Sequence, residues 1–302
     1  MSAESPAALR GRVVAGHGRR VVVQDEAGSA RPCLVRGRSL RPVCGDLVRW
    51  MPGANDSAGV VAAIDPRSTA LERPDSRGRT EVIAANVSQL IVVCAYEPTP
   101  DPFLVDRYLA TAELMPCKAL LVYNKIDLGE PDDTRWLEEL EAIGCPVLRA
   151  SARRRDALAR LMDVLAGHTS ILVGQSGVGK SSLLNALVPG LDTATASLSE
   201  FSGLGRHTTS AAVLHRLANG GAIIDSPGVR DHAPAVIPPR EVARGFVEFA
   251  EPALECRFAD CLHRDEPGCG VKAGVAEGRL SARRYESYLR LLRLMESLKP
   301  TW

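Results

Sequence analysis

The chain has 302 residues, 45% of them apolar and 24% charged, with a formal net charge of +1. This is ordinary globular composition with room for two or three domains. It excludes a membrane-spanning chain, because the longest clean apolar run, LIVVCAY from Leu90, is far too short for a bilayer, and the first twenty residues hold no stretch of signal-peptide length.

The expected setting is therefore the cytoplasm, without membrane attachment. Five of the eight cysteines (Cys33, Cys44, Cys94, Cys117, Cys145) are scattered, and Cys94 lies inside the apolar run, which reads as reduced, core-type cysteine. Charge is uneven. Residues 1–80 hold 13 arginines and no lysine against 8 acids, whereas residues 81–302 carry 24 basic and 28 acidic residues. A basic N-terminal region points either to an anionic partner or to a solvated arginine-rich face.

Residues 1–72 contain five β-type runs, GRVVAG, RRVVVQD, ARPCLVRG, GDLVRW and AGVVAAID, separated by Gly, Pro and Asp at intervals of about ten residues. They predict a small five-stranded barrel of the OB type, with Arg10, Arg12, Arg19, Arg20, Arg36, Arg38 and Arg41 giving a basic face. Trp50 is the one aromatic available there for stacking, so RNA backbone contact is expected over base stacking, and a protein-binding barrel stays open. The polar stretch ERPDSRGRT, 72–80, reads as a linker or loop.

Residues 73–237 alternate strand and helix: LIVVCAY, DPFLVDRYLATAEL, KALLVYNK, TRWLEELEAIG, PVLRAS, RDALARLMDVLAG and TSILVGQ. This is an α/β pattern with a mostly parallel sheet. After the strand KALLVYN stands NKID, comprising Asn124, Lys125, Ile126 and Asp127. At the carboxyl edge of a parallel strand, where open α/β sheets bind ligands, the Asp127 carboxylate can accept from both N1–H and the 2-amino group of guanine, a donor pair adenine lacks. Asn124 and the Lys125 stem brace that pocket. Ser151 and Ala152 follow the next strand, where a backbone amide meets guanine O6.

The strand TSILV then runs into GQSGVGKSS and the helical LLNAL. The spacing matches a phosphate loop. Gly174, Gln175, Ser176, Gly177, Val178 and Gly179 wrap the phosphates with backbone N–H groups at a helix N-terminus; Lys180 reaches the β- and γ-phosphates; the Ser181 hydroxyl binds magnesium, with Ser182 beside it. The segment SLSEFSGLGRHTTS has the glycine-rich, polar composition of a mobile switch loop, in which Thr208 or Thr209 completes the magnesium shell. In AIIDSPG, Asp225 holds magnesium through water and the Gly228 amide faces the γ-phosphate. The next residue, Val229, occupies the place of a water-orienting glutamine and can neither donate nor accept. His207 is the available polar alternative, as a catalytic group or as an ordinary loop histidine.

Residues 238–302 carry Cys256, Cys261, His263 and Cys269 within fourteen residues, a closed tetrahedral set for one structural zinc. Beyond it, LSARRYESYLRLLRLMESL predicts an amphipathic helix with Arg283, Arg284, Arg290 and Arg293 on its polar side.

These nucleotide motifs resemble those of Ras-like GTPases in rotated order, with the base-reading NKID and SA ahead of the phosphate loop and DSPG. The chain looks like a circularly permuted GTPase. Adding the barrel, the Cys/His cluster and the stretches ERPD, IAANVSQLIVV, GLGRHTT, EFAEPALECRFADCLH, EPGCGV and RYESYLRL, it resembles the ribosome small-subunit-dependent GTPase A family over nearly its whole length. The resemblance implies GTP binding with Mg2+, hydrolysis to GDP stimulated by the small ribosomal subunit during its late maturation, rRNA contacts through the barrel and zinc domains, and dealings with other assembly factors, by a monomer. The rival readings are a nucleotide-sensing module with negligible turnover, for which Val229 speaks, and a phosphate-loop ATPase or kinase, against which NKID speaks.

Overall fold

In the computed structural model, which describes residues 8–37, 39–53, 57–74, 79–129, 133–191, 212–226 and 237–298, the five N-terminal runs close on themselves. They are β1 (Leu9–His17), β2 (Arg20–Asp25), β3 (Ala30–Val35), β4 (Leu47–Met51) and β5 (Gly59–Ile64), in the order β1-β2-β3-β5-β4 with β4 returning to β1. Only the β3–β5 pair is parallel; β1 and β4 close the barrel through Leu9↔Trp50 to Arg12↔Leu47. Period-two burial fills the interior with Val13, Val21, Val23, Cys33, Val48, Trp50 and Val61.

Trp50 is 1% exposed, and its Nε1 donates to the Arg10 carbonyl at 3.4 Å, so the expected stacking aromatic is a core residue instead. Alternation along β4 is the cause, since Val48 and Trp50 share one face while Leu47 and Arg49 take the other. Arg10, Arg19, Arg20, Arg36 and Arg41 are exposed, and Arg38 lies outside the described residues.

A hairpin of β6 (Ala70–Pro74) and β7 (Thr80–Ala85) follows. Residues 72–74, expected in a linker, are strand, because Arg73↔Glu81 and Pro74↔Thr80 stand in ladder register. The chain then builds β8 (Gln89–Ala95), α1 (Pro102–Leu114), β9 (Lys118–Asn124), α2 (Arg135–Ala142), β10 (Val147–Arg149), α3 (Arg155–Leu165), β11 (Thr169–Val173), α4 (Lys180–Leu187), β12 (Ala212–Arg216) and β13 (Ala222–Asp225). The sheet order is β10-β9-β8-β11-β13-β12, parallel except for β12, which runs against β13. All seven residues of β8 are buried, which is why a continuous apolar run rather than an alternating one marks this central strand. α1 and α2 pack on one face, through Tyr108, Leu109, Leu137 and Leu140. α3 and α4 cover the other, through Leu161, Leu165, Leu183 and Leu187.

β1 also pairs with β12, through Ala15↔Val213 and Gly16↔Ala212. One eleven-stranded sheet therefore runs from the nucleotide-type domain into the barrel. No helix among the described residues is long and apolar enough to cross a membrane.

The C-terminal part holds α5 (Pro239–Val242), two 3-10 turns (Ala243–Gly245 and Val247–Phe249), α6 (Ala250–Ala253), α7 (Gly270–Ala276) and α8 (Ala282–Ser297). α8 starts at Ser281, whose hydroxyl accepts from Arg284 N at 3.2 Å, and buries Tyr288, Leu291, Leu292 and Met295 against Phe246 and Phe249. Of the four arginines read onto the polar side of this helix, two are drawn inward. Arg284 is 2% exposed, bonded to Glu248 through Nε (2.7 Å) and Nη2 (2.9 Å) and to Asp106 through Nη1 (2.8 Å). Arg283 bonds Asp106 and Glu139, each at 2.7 Å. Arg290 and Arg293 remain on the outside, at 3.1 Å and 3.9 Å from Glu286.

Candidate nucleotide site and metal cluster

The carboxyl ends of β9, β11 and β13 converge on one side of the sheet. β11 ends at Val173, and Gly174 follows with φ 135°; a Cβ there would stand 2.1 Å from the Val93 carbonyl of β8, so only glycine lets the loop leave the sheet here. Gly179, at φ 94°, caps α4, and a Cβ on it would lie 2.4 Å from Asn124 Nδ2. That crowding has a purpose. The buried Asn124 amide donates to the Val178 carbonyl at 2.8 Å, joining the two loops the sequence assigned to base and phosphates. Its Oδ1 has no protein partner among the described residues, a buried acceptor left for a donor from a bound molecule or water.

Lys180 folds back on its own loop, donating to the carbonyls of Gly174 (2.6 Å) and Gln175 (2.7 Å). Phosphate oxygens would replace these two neutral acceptors by charged ones and strengthen the bonds. Ser176 and Gly177 are exposed at the loop's tip, and Ser181 and Ser182 are exposed in the first turn of α4. Lys125 lies across the loop at φ 62° and donates to the Glu97 carbonyl at 2.6 Å.

Asp127 is held from two sides. The Ser151 hydroxyl donates to Oδ1 at 2.6 Å and Arg153 to Oδ2 at 3.3 Å. The Ser151 bond, with Arg153 adding to it, keeps the Asp127 carboxyl below the ordinary carboxylate range, so it stays an acceptor pair at neutral pH. The sequence reading places a backbone amide of Ser151–Ala152 at the base; in the structure the Ser151 side chain also bonds the Asp127 carboxylate. Glu97 and Arg153 carried no signal in the sequence, since neither belongs to a local pattern. Ala152 and Ile126 are half-buried beside them.

Asp225 closes β13, half-buried, opposite Val213 of β12. His215 is buried on β12, and burial pushes its imidazole below the ordinary histidine value, with Asp225 acting in the opposite direction. His207, Thr208, Thr209, Gly228 and Val229 lie outside the described residues.

The second cluster sits between α6 and α8. Cys256, Cys261, His263 and Cys269 place their ligand atoms within 4.8 Å of one another. Cys256 Sγ and Cys269 Sγ are 3.9 Å apart, and His263 Nδ1 lies 3.5 Å and 3.4 Å from them. A tetrahedral ion with metal–sulfur bonds of about 2.3 Å and metal–nitrogen bonds of about 2.0–2.1 Å needs edges close to these values, so the four residues fit one metal ion. Backbone amides of Gly270 and His263 point at Cys256 Sγ (3.3 Å) and Cys261 Sγ (3.4 Å). The Tyr285 hydroxyl donates to the His263 carbonyl at 2.7 Å, fixing the loop to α8.

Comparison with known proteins agrees with this architecture. The "Small ribosomal subunit biogenesis GTPase RsgA" of Ectopseudomonas mendocina is 42% identical over 290 residues, covering 93% of this chain and 84% of that protein. RsgA 1 of Vibrio vulnificus is 40% identical over 298 residues, covering 96% and 85%. Among solved structures, YjeQ from Thermotoga maritima superposes with a TM-score of 0.77 at 34% identity, covering 95% of this chain and 98% of that one. YloQ, described as a circularly permuted GTPase, gives 0.75 at 26% identity, with both chains fully covered. The family description "RsgA GTPase" matches residues 64–233, more than half of the sequence, and the chain belongs to that family.

Proposed function

We propose that this protein is a GTPase of small-ribosomal-subunit biogenesis, hydrolysing GTP to GDP and phosphate on the subunit it helps to mature. The observation that carries the nucleotide reading is the Asn124–Val178 bond with the Asn124–Gly179 contact, which locks a base-reading loop and a phosphate loop into one site. The relatives named as GTPases of small-subunit biogenesis support the ribosomal role and speak against a sensor without turnover, the reading that Val229 favours.

In this reading Asp127 pairs with N1–H and the 2-amino group of guanine, Ser151 orients it, and an amide near Ala152 meets O6. Backbone N–H groups of residues 174–182 and Lys180 hold the phosphates. Ser181, Asp225 and Thr208 or Thr209 would hold Mg2+, which neutralises charge developing on the phosphates. His207 orients or deprotonates the attacking water, in place of the glutamine that Val229 displaces. The Gly228 amide faces the γ-phosphate.

The Cys256, Cys261, His263, Cys269 set holds zinc as a structural staple: three thiolates and an imidazole fill four positions and leave none for a reactant. The exposed barrel arginines and the C-terminal domain bind rRNA, in a cytoplasmic monomer that works alongside other assembly factors. The boundaries of the three functional units are 1–72, 73–237 and 238–302. Turnover of GTP measured with and without purified small subunits tests the whole reading: a rate unchanged by saturating subunits, or no GTP turnover at all, overturns it.

A further inference from the structure

On the side of the sheet away from the nucleotide loops, a cleft of about 480 Å³ separates the barrel from the sheet that carries the phosphate loop. Its floor is a line of three residues in register, Thr169 at the start of β11, Ala222 on β13 and Arg216 at the end of β12. The small Ala222 leaves open space between a hydroxyl and a guanidinium. From the barrel side, Arg12 of β1 reaches over and donates from Nη1 to Thr169 Oγ1 at 3.2 Å. Gln24 stands directly opposite Arg12 on β2, and its Oε1 accepts from Arg216 Nε at 2.6 Å, which brings the second guanidinium to the same place.

Neither Arg12 nor Arg216 has a carboxylate partner among the described residues. Burial, and next the Arg216 charge, make the protonated Arg12 costlier than usual. Three acids also line the cleft, and two are engaged elsewhere: Asp25 accepts from Ser29 N at 2.8 Å, and Asp65 from Arg49 at 3.1 Å. Glu26 completes the set. Two like charges lining one cleft, neither paired with a carboxylate among the described residues, describe a receptor for an anion with several oxygens.

We propose that Arg12, Arg216 and Thr169 form a second, oxyanion-binding site for a phosphate group, clamped between the barrel and the base of the strand whose other end forms the phosphate loop. The two guanidiniums bind phosphate oxygens from opposite walls and the Thr169 hydroxyl donates to a third oxygen. The site is independent of the guanine-nucleotide reading. Its occupant is a phosphodiester of an RNA backbone or a free phosphate group, and the chemistry is the same.

The test uses the full-length, metal-loaded protein with a saturating non-hydrolysable GTP analogue, which fills all three phosphate positions so that added phosphate cannot enter the phosphate loop. The Nε–H resonances of Arg12 and Arg216 are followed while inorganic phosphate, and separately an oligouridylate without terminal phosphates, is added. Both resonances are expected to move saturably with phosphate while that of Arg135, on the remote α2, stays fixed. Arg12→Gln and Arg216→Gln should each weaken phosphate binding about tenfold or more. Competition by the oligouridylate identifies an RNA backbone as the source; saturation by phosphate alone identifies a free phosphate group. Absence of movement, or an equal non-saturating drift of Arg12, Arg216 and Arg135, overturns the site. The titration of the unsubstituted protein decides this even where a variant fails to fold.

Discussion

Arg284 on α8 donates to Asp106 on α1 at 2.8 Å with both side chains almost fully buried, and Arg283 reaches the other oxygen of the same carboxylate at 2.7 Å. The last helix is thereby fastened to the first helix of the GTPase domain. Glu248 takes the remaining donors of Arg284, whose guanidinium also lies 4.9 Å from the Phe246 ring centre. Burial opposes the charge, and the Glu248 and Asp106 carboxylates outweigh it and hold Arg284 protonated. Three carboxylates (Asp106, Glu139 and Glu248) and two guanidiniums bond one another, so removing Arg284 leaves buried charge uncovered.

Arg284→Ala should therefore destabilise the protein by about 3–5 kcal/mol, the range for breaking a buried pair. Urea unfolding followed by circular dichroism measures it, and the exposed Arg293→Ala serves as control, with an expected loss of about 0–1 kcal/mol. Equal effects of the two substitutions would contradict the lock.

The second prediction follows from the Ser151–Asp127 bond. In the proposed reading Asp127 accepts from guanine only while ionised, and its carboxyl is held low chiefly by the Ser151 hydroxyl. GTP affinity should then persist well into the acid range, being present above the depressed pKa and lost as pH falls through it. Ser151→Ala removes that donor, raises the Asp127 carboxyl toward its ordinary value and moves the acid limb of GTP binding to higher pH. Fluorescent GDP titrations at a series of pH values read this directly, and superimposable acid limbs for the two proteins would sink it. Asp127→Asn should cost guanine selectivity outright, seen as similar affinities for GTP and ATP.

Short-range patterns made most of this fold readable. The phosphate loop, NKID and the Cys/His cluster each fit within about fifteen residues, and their chemistry depends on local spacing. Long-range pairing escaped. Arg284 looks like one more charge on a polar helix face until Asp106, 178 residues earlier, is folded against it. The β1–β12 ladder joins strands from different domains, and nothing in either strand marks its edge as taken. Trp50 was legible: LVRWM alternates with period two, and that alternation places Trp50 beside Val48 in the core.

The metal cluster supports a third prediction. One zinc per chain should be found by elemental analysis, and Cys256→Ser should lower that content. Chelation should release residues 256–269 first, because metal binding is folding free energy for that loop. α8 keeps its own anchors at Asp106 and Glu248. Hydrogen exchange should thus speed up in the loop and α7 while α8 stays protected and GDP affinity is unchanged. Loss of protection in α8 together with the loop would show that the cluster, not the ion-pair lock, holds the helix.

The last prediction concerns activation. The segment carrying His207, Thr208 and Thr209 leads into β12, whose first residues, Ala212 and Val213, are paired with Gly16 and Ala15 of the barrel. A force applied to the barrel by a docked RNA surface is therefore applied to the strand that follows Thr208 and Thr209, the proposed magnesium-shell threonines. His207→Ala should bind GTP normally, keep the slow basal rate and lose the subunit-stimulated rate. Val213→Pro, which cannot supply a ladder donor, should weaken stimulation by loosening β12, and because Asp225 stands opposite Val213, GDP affinity is measured beside it. Because RNA docking depends on phosphate contacts, stimulation of the unsubstituted protein should also fall as salt rises. Full stimulation of the His207→Ala protein would transfer the catalytic role to a group donated by the ribosome, whereas full stimulation of Val213→Pro would detach the barrel from the switch.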